Sequence, residues 1–243
     1  MRFLFLALLC SACAGAHSTS SSVEVADAQF VMSEMKFMFP QRMAEVERSI
    51  ERNKYARLRA ADLGLEINDD LVEHQLGEIV QQLQASSRGS LDELAQAEYE
   101  LPWQQVADTY RQHLANNLLY RSVYVADARQ MRQLTVAVLG NSQLAVVEGW
   151  HDELQLGRHP EGLGAETVTM PEWRTDVYVP GSIVGPFRLL NGLWMIGRVT
   201  DVAPSAGRLE WSETQQLATK FDISPFVAEV WIHEMASRYN IDE

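Results

Sequence analysis

The hydrophobic pattern of this chain changes at about Arg129, and that change limits what it can fold into. Over residues 26–128 apolar side chains recur at helical spacing. Immediately after Arg129, Gln133-Leu134-Thr135-Val136-Ala137-Val138-Leu139 is dense in β-forming residues and stops at Gly140-Asn141, the signature of a strand. Further extended segments are expected at 166–170, 176–179 and 193–202, separated by turns such as Pro180-Gly181 and Gly185-Pro186, with a helix over 143–156. The chain then returns to helix over 210–221 and 225–239. An all-helical segment followed by a short mixed one and closing helices makes the fold class α+β.

Local chemistry sets the helix limits in the first half. The run 26–39 meets Pro40, which ends or kinks a helix. The next helix, 41–63, shows an approximate stripe of Met43, Val46, Ile50, Leu58 and Ala61, and Gly64 supplies its stop. Asn68 or Asp69 caps a helix carrying Leu71, Leu76, Ile79, Val80 and Leu83. Ser90-Leu91-Asp92-Glu93 is a capping box, in which hydroxyl and carboxylate each satisfy a backbone N–H left open at a helix start. Leu101-Pro102-Trp103 opens a long helix bearing Val106, Tyr110, Leu114, Leu118 and Val125. The last helix carries Phe226, Val230, Trp231 and Met235, more apolar surface than a lone tail exposes, so it is expected to dock, with the earlier helices as its natural partner.

Composition removes several function classes. Thirty-three acidic against 20 basic residues give a net charge of −13, which repels phosphate backbones and argues against a nucleic-acid partner. The only cysteines are Cys10 and Cys13, so the body of the chain has no thiol for a disulfide, a cysteine-based zinc site or a nucleophile. Both sit in a leader: Met1-Arg2 is a short basic start, 3–9 is an unbroken apolar run, and small residues follow. Seven apolar residues fall far short of the roughly 20 that cross a bilayer, so 1–16 is an export signal and not a membrane helix. Two processing routes fit: lipidation of Cys13 after Ser11-Ala12, or cleavage after Ala14 or Ala16 with Cys13 lost. Under the first, 17–25 is a flexible tether.

No other chemical motif is present. His151 and Glu148 could share a helix face, but no H-x-x-x-H or H-E-x-x-H pattern accompanies them, so no metal and no cofactor is expected. There is no G-x-S-x-G, and Pro180-Gly181-Ser182-Ile183-Val184-Gly185 reads as a turn between strands. The positive signal is apolar: Met32, Met35, Met38 and Met43 alternate with Phe30, Phe37 and Phe39 in the first helices. Flexible thioethers beside aromatics suit a surface that adapts to many partners, and Met35, Met38 and Phe39 are the candidates to hold an extended polypeptide. Core filling is the alternative for any one of them.

The stretch Leu58-Arg59-Ala60-Ala61-Asp62-Leu63-Gly64-Leu65-Glu66-Ile67-Asn68-Asp69-Asp70 resembles the helix ending and restart of SurA-type periplasmic chaperones and PpiC-type parvulin peptidyl-prolyl isomerases. The segment Gly185-Pro186-Phe187-Arg188-Leu189-Leu190-Asn191-Gly192-Leu193-Trp194-Met195-Ile196 is similar to the closing segment of the parvulin domain. The resemblance implies a helical chaperone domain over 26–128, completed by C-terminal helices over 205–243, with a small parvulin-like domain inserted over 129–204. It also implies a substrate pocket of Met170, Phe187 and Trp194, and a location in the periplasm.

The departures bear on chemistry. Of the two histidines that lie beneath a parvulin's proline, the first is matched by Gln133 and the second by Leu193 or Trp194, and the family's glycine-rich segment survives only as Gly162-Leu163-Gly164 without its Asp. The amide barrier is about 18–20 kcal/mol, so a degenerate pocket points to lost isomerase activity. Two functions follow as expectations: a holdase for unfolded envelope polypeptides, or an isomerase whose apolar pocket works without histidines.

Overall fold

The computed structural model describes residues 37–87, 89–158, 160, 166–173 and 178–239. The leader with Cys13, the tether, Met35 and Gly162-Leu163-Gly164 lie outside the described residues. The described chain is α+β. Four helices, α1 (Pro40–Leu63), α2 (Asp69–Ser86), α3 (Leu91–Tyr99) and α4 (Trp103–Gln130), precede β1 (Gln133–Asn141) and α5 (Leu144–Gln155). Strands β2 (Glu166–Pro171), β3 (Ile183–Arg188) and β4 (Trp194–Ala203) follow, then α6 (Trp211–Ala218) and α7 (Pro225–Tyr239).

The helix ends are built from the residues that mark them in the sequence. Pro40 stands at the first position of α1, where its missing N–H costs nothing, and the Phe39 carbonyl accepts from the Met43 N–H at 3.0 Å. At the other end Gly64 adopts φ +64. The Leu65 N–H then reaches the Ala60 carbonyl at 2.8 Å and the Gly64 N–H the Ala61 carbonyl at 3.1 Å, a Schellman closure with Leu65 buried behind it. Asn68 accepts from the Asp70 N–H at 3.0 Å. Both halves of the Ser90 and Glu93 capping box are formed.

The described residues divide into two compact units, the first made of 37–53 and 66–118 and the second of 54–65 and 119–239. Within the first, Val72, Leu76, Ala95 and Val106 are buried, and Arg111 pairs with Glu73 across α4 and α2. The second contains the sheet, ordered β2-β1-β4-β3 with every pair antiparallel. Its two faces are covered differently. On one, α5 packs Val147 and Leu154 against Leu139 and Ile196, flanked by Trp150, Ile183 and Trp194. On the other, α7 sets Phe226 against Phe187 with ring centroids 6.1 Å apart, and Trp231 lies edge-on to Tyr120 of α4 at 4.9 Å.

Two local expectations need correction. The stripe drawn along α1 is misplaced: Ile50 and Leu58 are exposed, while Tyr55, Ala56 and Ala60 are buried beside the correctly placed Met43. The helix's partners, not its own period, choose which face is covered. The extended segment expected at 176–179 supplies no strand in its described part. The Tyr178 N–H goes to Glu172 Oε1 at 2.8 Å and the Val179 N–H to Ser182 Oγ at 3.1 Å, so side chains take the donors a ladder would need.

Candidate functional site

The three residues expected to share a pocket are not brought together. In an antiparallel sheet directly paired residues lie on one face and successive residues alternate. Met170 pairs with Leu134 and Phe187 with Met195, which places both on the α7 face. They sit on opposite edge strands, however, three strand spacings or about 14 Å apart across the sheet, and the β4 residues in register with them, Val202 and Met195, set them further apart along it. Met170 is fully buried core. Trp194, one residue before Met195, points to the other face and packs in the α5 cluster.

The positions matched to the missing histidines do other work. The Gln133 side-chain amide donates to the carbonyls of Ala128 and Met131, capping the end of α4. Leu193 is exposed in the β3–β4 turn, its N–H held by Asn191 Oδ1 at 3.0 Å. Sequence reasoning missed His233, an exposed residue of α7 whose ring lies 5.3 Å from that of Phe187. An exposed histidine flanked by buried Ile232 and Glu234 in a closing helix has no local signal that would single it out. Of the candidates in the first unit, Met38 and Phe39 are exposed, as is Phe37 at 88%.

A different apolar recess does form in the second unit. Beside α5, on the sheet face opposite α7, lies a groove of about 350 Å³ lined by Ala137, Leu139 and Leu154, by the turn Pro180-Gly181, and by Arg198, Val199 and Thr200. Val199 belongs to β4 at the point where the strand bulges, with register shifting between Thr135 and Val136 on β1. Val179 and Leu156 are exposed apolar residues elsewhere on the same unit. The groove's titratable lining is Arg198 alone, which leaves it without a group for proton transfer near neutral pH.

The strongest electrostatic feature of the second unit lies elsewhere and is structural. Asp127, 1% exposed in α4, accepts from Arg59 Nη2 at 2.6 Å and from Trp173 Nε1 at 3.1 Å. Loss of hydration pushes its carboxyl above the usual aspartate range, and the hydrogen bonds and charge of Arg59 pull it partly back. Next to it, Tyr239 at the end of α7 donates to Asp62 Oδ2 at 2.6 Å; burial and that bond push the phenol up to about 12. Among the described residues no group of three or more His, Cys, Asp or Glu side chains is gathered that could hold a metal ion.

No protein-family model matches the chain, and no curated protein does. Among solved structures it is similar to the foldase protein PrsA from Streptococcus pneumoniae, at 12% identity and a TM-score of 0.34, over 88% of this chain and 90% of that one. A superposition that loose fixes neither fold nor function, which come from this chain's own residues.

Proposed function

We propose that the protein is an exported chaperone of SurA type, a holdase that binds unfolded or extended polypeptides in the cell envelope, and that its parvulin-like part has no isomerase activity. The observation that carries the binding role is the groove beside α5: an open, largely apolar recess with no acid–base pair. Such a surface gains by covering apolar side chains, and it offers nothing that weakens an amide. Exposed Phe37, Met38 and Phe39 supply a second apolar surface of the same kind. Loss of activity is supported by the side chains at the histidine positions, where Gln133 is committed to backbone carbonyls and Trp194 to the α5 cluster. The export signal and a lipid anchor at Cys13 belong to the same proposal.

One observation favours the second reading, an active peptidyl-prolyl isomerase: His233 stands against Phe187 and would supply an imidazole the motif lacks. A single set of assays separates the two. Exchange spectroscopy on a proline tetrapeptide should give a cis/trans rate at background, and the protein should slow aggregation of an unfolded outer-membrane client. Converting exposed Phe37 and Phe39 together to Ser should weaken binding of an aromatic-rich peptide about tenfold, since about 1.4 kcal/mol of apolar contact is removed. Accelerated exchange that disappears in His233→Ala would replace the holdase with the isomerase.

A further inference from the structure

We infer that the groove beside α5 recognises the free C-terminal carboxylate of a polypeptide ending in an apolar residue, with Arg198 as the group that takes the carboxylate. The inference rests on the proposed polypeptide binding and names which part of a client is held.

Arg198 lies on β4 between Ala137 of β1 and Ile183 of β3, its cross-strand partners, so its stem crosses the apolar floor of the groove. Its guanidinium stands at the groove's turn: a Cβ on Gly181 would be 4.0 Å from Nη2. The chain carries 33 acidic residues, and Arg59, Arg111 and Arg132 are each paired with a carboxylate, yet Arg198 has no ion pair among the described residues. A cation left unpaired in an apolar recess of so acidic a protein is complementary to an anion brought in by a ligand.

The other polar groups of the groove are already engaged. The Thr200 hydroxyl donates to the Thr135 carbonyl at 3.1 Å. The Gly181 N–H goes to the Val199 carbonyl at 2.7 Å, and the Val199 N–H to the Ser182 carbonyl at 2.9 Å. An incoming ligand therefore meets one donor set, the planar fork of a guanidinium, which suits the two oxygens of a carboxylate. Ala137, Leu139 and Leu154 lie alongside to receive an apolar side chain. A volume of about 350 Å³ is at the small end of ligand pockets, room for the end of a chain and not for a long run of it. A carboxylate and an apolar side chain on one residue describe a C-terminal Leu, Val or Phe.

The test is fluorescence anisotropy with the full protein and four labelled peptides built on one apolar nonapeptide: a free acid ending in Phe, its amide, the acid extended by three residues, and the amide with a Glu beside the Phe. The free acid should bind about tenfold or more tighter than the amide and the extended peptide, the scale of a charge-assisted bidentate contact. Arg198→Gln should remove that advantage, bringing the ratio of free-acid to amide affinity to about one. Equal binding of acid and amide by the unaltered protein overturns the carboxylate role and leaves polypeptide binding standing. Tight binding of the Glu-containing amide would move the ligand from a chain terminus to an acidic side chain, also against the inference. If no peptide binds, both the inference and the holdase reading fall.

Discussion

Asp127 shows what one buried charge demands of its neighbours. Its folded carboxyl titrates above the ordinary aspartate value of about 3.9, so the folded protein holds that proton more readily than the unfolded chain does. The group's contribution to stability is therefore complete below the unfolded pKa and is lost as pH rises through the raised folded value. At neutral pH the ionised form is tolerated because Arg59 and Trp173 reach it. Arg59→Met should cost about 3–5 kcal/mol in urea unfolding at pH 7, because it strands a buried charge. The deficit should shrink toward acid pH, where the carboxyl takes up its proton. Arg59→Met combined with Asp127→Leu should recover most of the loss. An unchanged unfolding midpoint in the single variant would mean that water, not Arg59, solvates the carboxylate.

At the level of elements, the meeting of α7 with the sheet depends on a missing side chain. A Cβ at Gly197 would stand 2.5 Å from Val136 Cγ1 and 3.1 Å from Phe226 Cζ, so strand and helix are this close only because β4 has glycine there. Gly197→Ala should destabilise the protein by about 1–3 kcal/mol through overpacking. Gly149 in α5 meets nothing within 4 Å, and Gly149→Ala should instead stabilise by about 0.5–1 kcal/mol. Paired thermal melts read both signs, and two shifts in the same direction would contradict the packing argument. The same contrast separates what could be read in the sequence from what could not. Pro40, Gly64, Asn68 and Ser90 act on backbone groups within a few residues, so the helix limits they set were visible. The buried face of α1 was not, because Tyr55 and Ala60 are covered by partners elsewhere in the chain. Nor was the fate of Met170, Phe187 and Trp194: strand order and face parity separate them, and those are set by pairings between distant strands. The groove is illegible in the sequence for the same reason, since its lining comes from β1, α5, β4 and the turn at Pro180.

At the scale of the whole molecule, the proposed anchor makes a prediction of its own. In a bacterial host the full chain should incorporate labelled palmitate and fractionate with membranes, and Cys13→Ser should abolish both; label retained by the variant would point to another attachment. The two units meanwhile are not two successive stretches of chain. Residues 54–65 belong with 119–239, and the intervening 66–118 belong with 37–53. The bond between Asp62 and Tyr239 joins positions 177 residues apart. Contacts that distant slow folding, since the chain between them must be closed before they reward it. A ribosome makes Asp62 long before Tyr239, and the helix that carries Tyr239 also brings Phe226 and Trp231 to the sheet and α4. Until that last helix is synthesised the second unit stays incomplete, and the sheet face that α7 covers waits open while α5 already lies on the other. A protein proposed to shelter unfinished chains thus spends the tens of seconds of its own synthesis as one.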